Sequence, residues 1–84
     1  MCLVLLFLPG DSVTIGGVEF GIEFSPPSLT RPGHPPTPIG TEFACPLPGV
    51  EACLPARERP GYLAIAFKAP RDVVIIRNAG RDVL

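Results

Sequence analysis

The groups best suited to chemistry fall in the last quarter of the sequence. Lys68, Arg71, Arg77 and Arg81 stand there against only Asp72 and Asp82. A guanidinium offers a planar fork of donors that pairs with phosphate or reads a guanine edge. This stretch therefore predicts attraction to a nucleic-acid backbone, weakening as salt rises. So few basic groups imply modest affinity, and a solvated strand-end arginine is the competing reading of Arg77. Aromatic rings are the second resource. Phe7, Phe20, Phe24, Tyr62 and Phe67 are candidates for stacking on unpaired bases. Phe20, Phe24 and Phe67, however, lie on alternating apolar faces and read as core.

His34, Cys45 and Cys53 are the candidates for metal or nucleophilic chemistry. Their spacing matches no ligand set such as C-x2-C, and no fourth ligand is evident. A Cys–His pair needs rigid elements to align it, and these residues sit among prolines. Oxidation of Cys45 and Cys53 to close a loop is the other use open to them. No glycine-rich phosphate loop runs into a helix, since Gly16-Gly17 lies between strand-like segments. The expectation is no enzyme, no cofactor and no metal. Three Cys in 84 residues leave one unpaired, so a disulfide framework and an oxidising compartment are not indicated. The formal net charge of −1 excludes a strongly basic coat protein and an acidic tail.

These groups need elements to hold them. Residues 2–8 form a continuous apolar run, as in a strand covered on both faces. The run is short for a signal peptide, lacks a basic start and meets no small-x-small cleavage site. It is far too short to span a bilayer. A cytoplasmic protein without membrane contact is the expectation, and a secreted or membrane-targeted peptide is the alternative. Pro9-Gly10-Asp11 is turn chemistry. Ser12-Val13-Thr14-Ile15 is β-prone, and Gly16-Gly17 suits a two-residue hairpin that needs positive φ. Val18 to Phe24 alternates without a miss. Tyr62 to Phe67 alternates again, and Asp72 to Arg77 is rich in β-branched residues. No segment has a helical period.

Residues 26–60 hold ten of the 12 Pro. Proline gives no ladder N–H and fixes φ, so the stretch reads as a long loop with polyproline-II pieces. Lengthening a loop costs only about 0.6 kcal/mol per doubling, which lets an insertion between the third and fourth strands be tolerated. Pro35-Pro36-Thr37-Pro38 is a candidate ligand for an aromatic groove, although a plain spacer is the simpler reading. The sequence thus predicts one all-β domain over 1–84, of five short antiparallel strands, interrupted at about 26–60. The flanks 1–25 and 61–84 alone bury too little apolar surface to offset the entropy of ordering them. A partner is therefore expected, and a second copy is the simplest.

The strand order and the residues at its joints resemble the carbon storage regulator (Csr/Rsm) family of small bacterial RNA-binding proteins. The matching residues are Leu3-Val4-Leu5, then Pro9 through Gly17, then Leu63 through Val73, with Ile75 and Arg77. The resemblance covers both flanks and skips the insert. It implies an intertwined homodimeric β-barrel or sandwich, with the C-terminal helix reduced to Gly80–Leu84 or absent. It implies regulation of translation and messenger stability through GGA-containing leader loops, with repression when binding blocks the ribosome. The first strand of one copy and the fifth of the other make each RNA site. The family's arginine falls on Arg77, its base-packing apolar residues on Val73 and Ile75, and its base-contacting loop on Ala69-Pro70-Arg71. Leu5 lies on the first-strand side. The chain departs from the family at Leu6, Phe7 and Leu8, where a polar and two basic residues are usual, so Phe7 is expected to be exposed. A degenerate member that binds a protein partner or antagonist instead of RNA is the alternative function.

Overall fold

The computed structural model describes residues 2–55 and 60–79. Among them there are nine strands and no helix: β1 (Cys2–Phe7), β2 (Ser12–Ile15), β3 (Val18–Phe24), β4 (Pro27–Thr30), β5 (Thr37–Pro38), β6 (Ala44–Leu47), β7 (Val50–Cys53), β8 (Leu63–Lys68) and β9 (Ile75–Asn78). They form two antiparallel sheets, ordered β1-β8-β7-β6 and β5-β4-β3-β2-β9. β5 and β6 bring the sheets together on one side. β1 and β9 are the outer strands on the other.

Local chemistry explains most of these elements. Gly16 and Gly17 adopt φ of +56° and +84°, the left-handed values a two-residue hairpin needs, and Ile15 faces Val18 across the turn. Alternation then sends Val13, Ile15 and Phe20 into the core, all 2% exposed or less. In the other sheet Phe7, Ile65 and Phe67 are fully buried. Phe7 and Phe67 meet edge to face, with centroids 6.5 Å apart. Burying a side chain of this size stabilises by about 1.5–3 kcal/mol.

The segment 26–60 is not a structureless insert. It supplies β4, β5, β6 and β7, and buries Leu29, Ile39, Val50 and Ala52 in the common core. Its prolines occupy positions that a sheet tolerates. Pro27 opens β4 and Pro38 ends the edge strand β5. Pro46 lies in the outer strand β6, where the register shifts between Ala44 and Leu47. Pro48 and Gly49 (φ +80°) link Leu47 to Val50, the residue order of a type II turn. The expected shortfall of core rested on the two flanks alone, and this middle segment adds four fully or nearly buried apolar residues to it. The strands form two separate sheets, not a closed barrel. Gly80–Leu84, where a reduced helix was expected, lies outside the described residues.

Two further expectations change. β1 is covered on one face only: Phe7 is buried, while Val4 is 52% exposed. Phe7 is thus core and not a stacking surface, because its place in the alternation points it at Phe67. The last strand begins at Ile75, not Asp72. Residues 70–73 instead form a turn in which the Val73 N–H donates to the Pro70 carbonyl (3.1 Å), and the Val74 carbonyl accepts from the Gly16 N–H (2.9 Å).

Candidate functional site

Arg77 sits opposite Val13 in the β2–β9 ladder. Cross-strand partners share a face, so its stem starts on the core side of an outer strand. The guanidinium then reaches the Asp11 carboxylate, with Nη1 3.2 Å from Oδ2. Asp11 is 3% exposed. The same oxygen accepts the Leu8 N–H (2.9 Å), and the Asp11 N–H donates to the Leu8 carbonyl (3.0 Å). The turn Pro9-Gly10-Asp11 therefore presents a carboxylate that fixes the arginine. A charge-assisted bond of this kind is stronger than a neutral one, and the Arg77 side chain remains 41% exposed.

Beside it an open groove of about 440 Å³ is lined by Val4, Leu5, Leu6, Leu8, Tyr62 and Arg77. One wall is β1, and Tyr62, just before β8, is 45% exposed. The groove thus combines an apolar strand, an accessible ring and an anchored guanidinium. Such a surface accepts a flat, partly apolar group that carries acceptors.

Of the residues singled out from the sequence, Leu5 and Arg77 line this groove, although 72 positions of sequence separate them. Ala69, Pro70, Arg71 and Val73 belong to the turn between β8 and β9. Ala69 is buried, Pro70 and Arg71 are exposed, and Val73 and Ile75 are half-buried against the core. Lys68 is exposed, opposite Glu51 in the β7–β8 register. Arg81 lies outside the described residues. Tyr62, a stacking candidate in the sequence, also lines the groove, whereas Asp11 carried no site role there. The signal for Asp11 was its place in a Pro-Gly-Asp turn, where such side chains bond nearby backbone.

Cys45 and Cys53 are both free thiols. Cys53 is buried in β7 opposite Ala66, while the exposed Cys45 donates to the Leu47 carbonyl (2.9 Å). Among the described residues no group of three His, Cys, Asp or Glu is placed to hold a metal. No helix among them is long and apolar enough to cross a membrane. Compared with protein-family models, curated proteins and solved structures, the chain matches none.

Proposed function

We propose that the chain is an RNA-binding regulator of translation that takes an unpaired, GGA-containing messenger loop in the groove between β1 and β9. The observation that carries this reading is the convergence of Leu5 and Arg77, named from opposite ends of the sequence, on one open groove. Tyr62 supplies a ring for one base, a contact worth about 1–3 kcal/mol. Arg77 reads a guanine edge or a phosphate with the part of its fork that Asp11 leaves over. The active form is a homodimer that buries Val74 and Ile76, which are 60% and 51% exposed beside and on the outer strand β9. Binding at a leader would exclude the ribosome by occupancy.

A gel shift at fixed salt tests the proposal, comparing a GGA-loop hairpin with one whose loop lacks GGA. Arg77→Lys keeps a cation near Asp11 but loses the fork, and is expected to cost about 1–3 kcal/mol of binding. Equal binding of the two hairpins would end the proposal. The second reading is a protein-docking module. It is favoured by β1, Cys-Leu-Val-Leu-Leu-Phe, an uncharged outer strand open to pairing. Retention of a protein but no RNA in a pull-down would select it.

A further inference from the structure

The opposite side of the molecule carries a second cleft, unrelated to the groove. It lies where β5 and β6 approach, and has a volume of about 190 Å³. Phe20 and Leu29 floor it from one sheet, and Pro46 closes it from the other. Both floor residues are essentially buried, at 2% and 1% exposure. Arg31, His34 and Thr37 line it with polar groups. Arg31 is held in place twice. Its guanidinium carbon lies over the Phe20 ring, 5.6 Å from the centroid, and Nη2 approaches Nδ1 of His34 at 3.5 Å.

The lining holds a guanidinium, an imidazole and a hydroxyl, and no carboxylate. Among the described residues neither Arg31 nor His34 has an acidic group within ion-pair distance. A guanidinium and an imidazole brought this close are both suited to meet one oxyanion from adjacent directions, and a guanidinium fork matches carboxylate or phosphate oxygens. The apolar floor matches a compact hydrophobic body, in the usual pattern of a small-molecule site. We infer that this cleft binds a small oxyanion, carboxylate or phosphate monoester, carried on a compact ring or branched apolar group. The anion lies against Arg31 and His34, and the apolar body lies between Pro35 and Pro46, the accessible apolar residues of the lining, above the buried Phe20 and Leu29. Because the walls come from both sheets, an occupant ties β4 and β5 to β6 and raises the stability of the fold by mass action.

Amide and side-chain NMR titration of the full chain with phenyl phosphate, benzoate and inorganic phosphate, at matched ionic strength, tests the site. Saturable shifts at Arg31, His34 and Thr37 are expected with a ring-bearing anion, binding about tenfold tighter than inorganic phosphate because the floor is then used. The tighter of phenyl phosphate and benzoate tells which oxyanion the cleft prefers. Arg31→Gln should abolish the shifts, and His34→Ala should weaken them, while both variants keep the wild-type β spectrum and the gel-shift behaviour of the groove. Shifts that rise linearly with concentration would overturn the site. So would shifts that persist in Arg31→Gln, or equal affinity for inorganic phosphate and the ring-bearing anions.

Discussion

The two sides of the molecule at which the sheets end are built from different kinds of strand. On one side the outer strands are β5 and β6. β5 is two residues long and ends on Pro38. β6 holds Pro46 and a register shift. Short strands, prolines and bulges are the means by which sheets avoid unwanted pairing. On the other side the outer strands are β1 and β9. β1 runs six residues without proline or charge, and β9 shows Ile76 to solvent. Val4 and Tyr62 line the groove together, while Val74 and Ile76 are exposed separately, beside and on β9. Proline placement thus closes one side to partners and leaves the other open.

The largest expected effect falls on the closed side. Leu29→Ala removes a fully buried side chain of the middle segment and should cost about 2–5 kcal/mol, read by urea unfolding. A loss near zero would return that segment to the status of a loop and dissolve the contrast. Next is Arg77→Ala on the open side, which removes the guanidinium 3.2 Å from the buried Asp11 carboxylate. A loss of about 1–3 kcal/mol is expected, measured the same way. Arg77→Lys should recover part of it, which separates the anchoring role from any role in RNA binding.

Smaller effects sharpen the contrast. Ile76→Lys should alter stability by no more than about 0.5 kcal/mol. It should nonetheless shift sedimentation from dimer to monomer, and an unchanged distribution would remove β9 from the interface. Smallest in folding terms is Pro46→Val, which restores a ladder donor to β6. Its expected signature is increased light scattering over time, with little change in the unfolding midpoint.

The five flanking strands were legible because each carries its own local signal. Alternation marks β3 and β8, a Gly-Gly turn separates β2 from β3, and β-branched residues mark β9. The middle strands were not legible, because proline was counted rather than located. Pro27 at a strand start, Pro38 at a strand end and Pro46 at an irregularity each avoid breaking a ladder bond. Val50-Glu51-Ala52-Cys53 is too short to stand out beside them. The site was half legible. Leu5 and Arg77 came from the resemblance, but the pairings that unite them, β1 with β8 and β2 with β9, are long-range and leave no local trace. The Asp11 anchor depends on those pairings too.

The ladder partner of β1 is β8, which begins only at Leu63. The six residues of β1 therefore have no ladder partner in their sheet until β8, about 60 positions later in the sequence, is in place. Contacts this distant in sequence slow the search for the native state, and uncovered strands of this composition are prone to associate. The same strand that walls the groove is thus the one most open to association until β8 pairs with it.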